Sequence, residues 1–243
     1  MLQIKISGFG GIPCKIIWFA SRPKIWDCIN GYYKQSTCSV PVIGYRRELF
    51  FTKIIDLNST TADLEAGFDQ KTAYEIRRAV KDGIATEQET DLKYFEKFYN
   101  LFAQSKQLPQ LSRNFINYEA NIVITKAIYN QEDIVMHAYL TDAALKRTRL
   151  LYSASLFRTE TDTQIRAIAG RANRLLHYKD MCYFKNLGFG TYDLGGYAQG
   201  TNDESLLKIN QFKDSFGGNL KQETDYYPVT AVIISAINKI FKV

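Results

Sequence analysis

Hydrophobic residues recur three and four positions apart in three segments of the chain, which is the spacing of an amphipathic helix. The segments are 72–83, 91–107 and a long third one that Thr161 or Asp162 can cap and that Gly188 ends. On the first of these helices the expected buried face consists of Ile76, Ala79 and Val80. The expected inner face of the long helix consists of Ile165, Ile168, Ala172, Leu175 and Cys182.

Alternating and β-branched runs predict strands between and after these helices. The predicted strands are 48–56, 120–129, 133–141, 145–156, a short one near 191–194 and an arm around 220–230. Polar turns join the second, third and fourth, which predicts an antiparallel meander. The order of elements therefore predicts an α+β fold with layered helices and strands, whose mixed, mostly antiparallel central sheet is flanked by helices.

A chain of 243 residues with 46% hydrophobic residues can bury a sizeable core. We expect a main domain over residues 48–243 and a strand-rich appendage or partial subdomain over residues 1–47. No stretch approaches the roughly 20 apolar residues of a membrane-spanning helix, so no transmembrane segment is expected.

The formal net charge is +6, and the basic residues are dispersed along the chain. Dispersed charge favours an anionic small molecule or a phosphorylated substrate as partner over duplex DNA, while a tRNA backbone stays open as a weaker alternative. The four cysteines show neither C-x-x-C spacing nor ligand spacing with the two histidines, so no metal site is predicted. Unpatterned cysteines are typical of reduced thiols, which favours the cytoplasm.

Three short motifs in this order resemble the FemABX-related branch of the GNAT-fold acyltransferases. They are Ile76-Arg77-Arg78-Ala79 with Gly83, then Gly188-Phe-Gly-Thr-Tyr-Asp-Leu-Gly-Gly196, then Phe212-Lys213-Asp214-Ser215-Phe216-Gly217-Gly218. Two positions depart from the branch: Ala73 stands where an arginine is common, and His177 where a tryptophan is usual. The resemblance implies transfer of an acyl or aminoacyl group to an amine or hydroxyl of a cell-envelope or small-molecule acceptor.

The resemblance also implies where the chemistry lies. Lys213 is the expected stabiliser of negative charge, and Asp193 is expected to accept a proton from the attacking amine or to orient it. The carrier-binding candidates are Leu151, Ser153, Ser155, Arg158, Thr161 and Thr163. The substrate-binding candidates are Arg171, Arg174, His177, Tyr192, Gly195, Gly196 and Phe212.

Structural interpretations compete with these roles. Lys213 also suits a solvated helix position, Asp193 a turn in which Gly195 or Gly196 bonds its carboxylate, and the two arginines a solvated helix face. His137 is interpreted as a core histidine.

The carrier itself stays open. Coenzyme A enzymes usually show R/Q-x-x-G-x-G/A after the fourth strand, but this chain has Arg158-Thr-Glu-Thr-Asp-Thr163, in which no glycine follows the arginine. Acyl-CoA such as acetyl-CoA is therefore possible and not implied. Two other hypotheses remain: a noncatalytic GNAT-like binding module that has lost its carrier site, and an aminoacyl-tRNA-dependent ligase.

Overall fold

The computed structural model of the chain describes residues 1–8, 11–156 and 163–240, the last six of these as backbone only. These residues form ten strands and six α-helices in two compact units. Unit 1 comprises Met1–Thr52, Gly196–Gln199 and Leu220–Val243, and unit 2 comprises Lys53–Gly195 and Gly200–Asn219. The boundary at Thr52 falls inside strand β4 (Tyr45–Asp56), as does the boundary expected between residues 47 and 48.

Unit 1 is built on a sheet of mixed strands. Its strands are β1 (Leu2–Ser7), β2 (Pro13–Trp18), β3 (Gly31–Ser36), the first part of β4, and β10 (Asn219–Pro228), which leads into helix α6 (Val229–Ile240). The order is β1-β2-β3-β10-β4, and β2 and β3 run parallel. Edge-to-face stacking of Tyr45 between Tyr33 and Tyr226 fills the core of this unit.

Unit 2 continues from the last part of β4. Its strands are β5 (Ala85–Glu89), β6 (Ile122–Tyr129), β7 (Glu132–Asp142), β8 (Arg147–Ser155) and β9 (Thr191–Gly196). The order is β4-β9-β8-β7-β6-β5. Strands β5 to β8 form an antiparallel meander, whereas β8 and β9 run parallel.

Unit 2 contains five α-helices in the described residues. They are α1 (Thr61–Ala66), α2 (Gln70–Lys81), α3 (Leu92–Ser105), α4 (Thr163–Asn186) and α5 (Glu204–Asp214). Asp69, Asp91 and Asp203 each accept backbone N–H groups of the first turn of α2, α3 and α5. None of the helices in the described residues combines the length and apolar character that a membrane crossing needs.

Two apolar clusters fill unit 2. One lies between α2, α4 and the sheet and includes Ala79, Leu175 and Phe184; the other lies between α3 and the sheet and includes Phe95 and Met136. Helix α4 is therefore the central helix of the unit, as its long apolar face indicated.

The predicted α+β class, the three-stranded meander and the long helix are confirmed. The predicted caps Thr161 and Asp162 of α4 lie outside the described residues. The prediction that Val80 is buried was wrong. Helix α2 turns Thr72, Ile76 and Ala79 inward, and Val80 is more than half exposed. Strand β5 was not predicted, because its sequence Ala-Thr-Glu-Gln-Glu lacks the apolar alternation of a half-buried strand.

Candidate active site

The parallel pairing of β8 and β9 is short. It joins Arg147–Arg149 to Thr191–Asp193, and within the described residues no further backbone pair links the strands, although β8 continues to Ser155. Gly195 has φ +77°, and a Cβ at this position would come within 3.0 Å of the Leu150 carbonyl oxygen. Because only glycine tolerates both conditions, Gly195 lets β9 turn away from β8 at this point.

A β-bulge lies in β8 at the same level. Ala138 of β7 is opposite Tyr152 and Tyr139 is opposite Leu150, which makes Leu151 the extra residue. A bulge disrupts the ladder locally and re-aims the groups around it, and bulges are common next to active sites. The bulge and the end of the β8–β9 pairing together form a break in the sheet.

Asp193 is buried at this break. Arg147 donates a hydrogen bond from Nη2 to Asp193 Oδ2 at 2.5 Å, and the Gly195 N–H donates to Asp193 Oδ1 at 2.8 Å. Both side chains are almost completely buried, so this is a desolvated ion pair with charge-assisted hydrogen bonds. The turn interaction with Gly195 that the sequence allowed is present, beside the ion pair that it did not indicate.

Lys213 lies on the last turn of α5, half-buried. The pKa of its ammonium group falls from 10.5 to about 8, mainly because of burial and also because of the positive charge of Arg149, while the carboxylate of Asp193 acts in the opposite direction. Lys213 is therefore in electrostatic contact with two residues of the break, which a solvated helix lysine would not be.

The family-like motif around Lys213 holds the end of α5 in place. Gly217 and Gly218 have φ of +74° and +75°, and a Cβ at Gly217 would come within 2.5 Å of the Gly67 carbonyl oxygen. Ser215 accepts a hydrogen bond from Thr72 Oγ1 through its hydroxyl at 2.9 Å. These contacts fix the position at which Lys213 projects from the helix.

A chain of buried hydrogen bonds lies on the α4 side of the sheet. Tyr139 donates from its hydroxyl to Asp180 Oδ2 at 2.6 Å, so the Tyr139 oxygen accepts from the Tyr192 hydroxyl at 2.6 Å. The Tyr192 oxygen then accepts from His177 Nδ1 at 2.7 Å. Burial, followed by the charge of Asp180, raises the pKa of Tyr139 and Tyr192 well above 10, which keeps both phenols protonated.

The second histidine completes this network. His137 Nδ1 lies 2.8 Å from Asp180 Oδ2, and His137 Nε2 lies 2.8 Å from Asn173 Oδ1. A neutral His137 that donates from Nδ1 accepts at Nε2 when the Asn173 amide turns its NH₂ toward the ring. His137 is a satisfied core histidine, as its apolar strand indicated, and the ring of His177 lies 4.3 Å from it.

Three of the predicted substrate-binding residues come together. His177 bonds to Tyr192, and its ring lies 5.6 Å from the ring of Phe212, the residue before Lys213. Gly195 lies at the break in the sheet, whereas Gly196 belongs to unit 1, where it lies against Phe50.

Two of the three arginines of α4 are engaged by α2. Arg171 Nε lies 2.7 Å from Asp82 Oδ2. Arg174 lies 3.8 Å from Glu75, and its guanidinium stacks 5.2 Å from the centre of the Phe212 ring. Arg174 therefore reaches the Phe212 side of the site, and Arg171 is directed to α2.

The carrier candidates lie along β8 and beyond it. Leu151 is the bulge residue, Ser153 is half-buried and Ser155 is buried. Arg158 and Thr161 lie outside the described residues, and Thr163 is the first residue of α4 and is exposed.

A cavity of about 350 Å³ opens between the β6–β7 turn and the first turns of α4. Its described lining consists of Tyr129, Asn130, Glu132, Ile134, Gln164, Ile165, Ile168 and Ala169. In this part of the chain the lining includes one carboxylate and no lysine or arginine. Within the described residues, no group of three His, Cys, Asp or Glu side chains could hold a metal ion.

Sequence reasoning missed Arg147, Asp180, Asn173 and the Leu151 bulge. A sign of Arg147 was available, since a charged residue that opens a strand needs a partner when it is buried. The network on α4 had a weaker sign: Asn173 and Asp180 are seven positions apart, which is two helical turns, so they lie on one face with Leu176.

Comparison with known proteins supports the fold. No family model matches the chain, and no curated protein matches it in sequence. The structure of FemX matches with a TM-score of 0.61 at 14% identity, covering 85% of this chain and 68% of FemX. The structure of L-PGS from Bacillus licheniformis matches with a TM-score of 0.54 at 12% identity, covering 86% of this chain and 73% of that protein.

A third similar structure is the C-terminal domain of a protein described as a lysylphosphatidylglycerol synthetase from Agrobacterium fabrum. It matches with a TM-score of 0.58 at 10% identity and covers 85% of this chain and 71% of that one. At these identities the likeness establishes the fold. The chain has a GNAT-like, FemABX-related fold, as its three motifs predicted.

Proposed function

We propose that this chain, with its FemABX-related fold, transfers an acyl or aminoacyl group to an amine or hydroxyl of a cell-envelope precursor or small-molecule acceptor. The observation that carries the proposal is the half-buried Lys213, whose cation acts on the same break in the sheet as the buried ion pair of Asp193. Such a cation, fixed before the reaction begins, suits a reaction in which negative charge develops on a carbonyl oxygen.

The reaction is a direct attack. The acceptor nitrogen or oxygen forms a bond to the donor carbonyl carbon, the oxyanion that results is stabilised by the Lys213 ammonium and by backbone N–H groups near Leu151, and the bond to the carrier then breaks. The proton lost by the acceptor passes to the oxygen or sulfur of the departing carrier. Asp193 orients Arg147 and the Gly195 turn, because both of its oxygens already accept hydrogen bonds.

A covalent enzyme intermediate is not required. Cys182 is the one cysteine of unit 2, and burial raises the pKa of its thiol, which disfavours the thiolate that a nucleophile needs. Attack by the acceptor itself is therefore the simpler route.

An aminoacyl ester is favoured over coenzyme A as the donor. One of the similar structures is described as the C-terminal domain of a lysylphosphatidylglycerol synthetase, a name that supports an aminoacyl group as the one transferred here. An acyl donor bound as a thioester remains a testable second donor.

The test uses hydroxylamine as a surrogate acceptor, so that the natural acceptor need not be known. Hydroxamate formation is measured with a set of aminoacyl-tRNAs and with acetyl-CoA and longer acyl-CoAs. We expect turnover with one donor class, and Lys213→Ala is expected to lower it about 100-fold, the size of effect seen for the loss of one oxyanion-stabilising group.

Lys208 of the same helix provides the control. Its side chain is 76% exposed, so Lys208→Ala is expected to leave the rate unchanged. Equal rates for Lys213→Ala and the wild type would refute the role of Lys213, and no hydroxamate from any donor would refute the transferase.

Two alternatives can be distinguished from each other by their turnover and by their binding of tRNA. The absence of glycine after Arg158 favours a noncatalytic binding module, which would bind donor or partner without any turnover. If the aminoacyl ester is an aminoacyl-tRNA, the protein is an aminoacyl-tRNA-dependent ligase, which the net charge of +6 favours, and it would retain tRNA with a steep dependence on salt.

A further inference from the structure

The net charge of the protein is confined to unit 1. The residues of unit 1 include ten lysines and arginines against four aspartates and glutamates, a formal charge of +6, whereas unit 2 contains twenty-one of each and is neutral. Sequence position alone did not reveal this segregation, because unit 1 is assembled from three separate segments of the chain.

Most acidic residues of unit 1 are buried and paired with its lysines, Asp27 with Lys15, Asp225 with Lys34 and Glu223 with Lys221, so the unpaired exposed charge is mainly basic. Three of its four acidic residues are buried in hydrogen bonds: Asp27 with Tyr33, Asp225 with Lys34, and Glu223 with Gln35. In the described part of unit 1 the exposed acidic residue is Glu48. The exposed basic residues are Lys5, Arg22, Lys24, Arg46 and Arg47.

Large apolar side chains are exposed in the same unit. Ile25 and Trp26 on a 3-10 turn are 58% and 76% exposed, Ile29 just after it is 66% exposed, and Ile43 is 83% exposed. Isolated exposed residues of this kind need no explanation, but a group of them does.

These residues lie close together. Gly44 packs against Cys28, which places Ile43 beside the segment of Trp26 and Ile29. The Val229 N–H donates to the Gly44 carbonyl oxygen at 2.9 Å, and the Thr230 hydroxyl donates to the Ile29 carbonyl oxygen, which adds the first turns of α6. We call this set the Trp26 surface: Ile25, Trp26, Ile29, Ile43, Val229 and Ile233.

We propose that the Trp26 surface docks on an anionic lipid bilayer. Arg22 and Lys24 adjoin it in sequence, and the Lys24 ammonium lies 5.9 Å from the centre of the Trp26 ring. A tryptophan and aliphatic side chains match the acyl boundary of a membrane surface. The lysines and arginines beside them match its anionic headgroups. Basic residues near such a surface each add to the affinity for anionic lipid.

The same observations argue against RNA as the occupant. Nucleic acid sites combine basic residues with aromatic rings on which bases stack, whereas this surface presents four isoleucines and a valine around one indole. The proposal concerns unit 1 alone and stands whether or not unit 2 is a transferase.

Vesicles of phosphatidylcholine alone and with 30% phosphatidylglycerol test the proposal with the full chain. We expect partition onto the anionic vesicles, weakened by salt, and a blue shift of tryptophan emission. The shift reports on Trp26, because Trp18 is the other tryptophan and is buried.

Two pairs of variants separate the apolar from the electrostatic contribution. Trp26→Ser with Ile29→Ser, and Arg22→Glu with Lys24→Glu, are each expected to lower partition at least about 10-fold. The matched controls in unit 2 are Leu101→Ser with Ile116→Ser and Lys97→Glu with Lys106→Glu, all at exposed positions. The controls are expected to partition like the wild type.

Three outcomes would overturn the proposal. These are no partition onto anionic vesicles, equal loss in the control variants, and a dimer in sedimentation velocity that Trp26→Ser dissociates. The last outcome would assign the surface to a second copy of the chain. If the protein does not bind to vesicles, salt-sensitive binding to tRNA would assign the surface to RNA.

Discussion

Replacing Lys213 with methionine is expected to make the protein more stable while it abolishes transfer. Methionine keeps the length and apolar stem of lysine but removes the charge. The pKa of Lys213 falls from 10.5 to about 8 because the folded protein holds its ammonium away from water and near Arg149. A charge that the folded state disfavours costs stability, and its removal restores that stability.

The size of the gain follows from the pKa. Each pKa unit corresponds to about 1.4 kcal/mol, and solvent screening of the half-buried group reduces the full shift to a gain of about 1–2 kcal/mol at pH 7. For a chain of this length the gain raises the midpoint of thermal unfolding by about 2–8 °C. Asp193 keeps its hydrogen bonds from Arg147 and Gly195 in the variant, so no buried carboxylate is exposed to offset the gain.

The pH dependence of unfolding provides a second test of the sign of this stability change. Between pH 8 and pH 10.5 the unfolded chain binds more protons at Lys213 than the folded protein does, so wild-type stability rises relative to the variant as pH rises. Urea unfolding followed by circular dichroism at pH 7 and pH 10 measures the difference between the two proteins. The advantage of Lys213→Met should shrink at pH 10, while Lys208→Met stays within about 0.5 kcal/mol of the wild type at both values.

The reasoning fails if Lys213→Met is less stable than the wild type at pH 7, or if its advantage is independent of pH. Either result would mean that Lys213 is a solvated helix residue. Increased stability together with lost turnover would instead indicate a site that keeps an unfavourable charge for its chemistry.

Three further perturbations test other parts of the site. Asp193→Ala removes the carboxylate from a buried ion pair with Arg147 and should cost about 3–5 kcal/mol in urea unfolding, whereas a cost below about 1 kcal/mol would contradict the ion pair. Gly218→Ala places a Cβ against a neighbouring strand at φ +75° and should cost clearly more stability than Gly188→Ala, at φ +82°, where no described atom lies within 4 Å; equal costs would contradict the close packing. The transfer rate should fall as pH rises through about 8, and Lys213→Arg should move that fall to higher pH in a pH–rate profile, since arginine keeps its charge.

The sequence predicted the elements whose signal is local. The apolar spacing of α4 extends over six turns, and the polar turns of the meander separate strands that pair with their neighbours in the chain. Glycines in the three motifs were also informative, because Gly195, Gly217 and Gly218 adopt positive φ where other residues would be strained.

Features that depend on distant residues were not predictable in this way. Asp180 and His137 are 43 positions apart, and each alone resembles an ordinary polar residue of a helix or a strand. Arg147 and Asp193 are 46 positions apart, and their contact depends on the register of two parallel strands that a long helix connects. The bulge at Leu151 depends on the pairing of β7 with β8, which no local pattern encodes.

Strand β9 explains why the candidate site is rigid. Its side chains alternate between the two faces of the sheet, so Tyr192 and the adjacent Asp193 point in opposite directions. Tyr192 is held on the α4 side by hydrogen bonds with Tyr139 and His177, while Asp193 is held on the other side by Arg147.

The groups that hold β9 on each face are buried and are charged or strongly polar. Moving any of their partners away would therefore cost free energy. The strand is therefore fixed from both faces just before Gly195 turns it away from β8. A break in a sheet that is clamped in this manner keeps its geometry without bound ligand. Lys213 can then be held near its charge partners at a cost in stability, because the strand beside it does not relax to remove that cost.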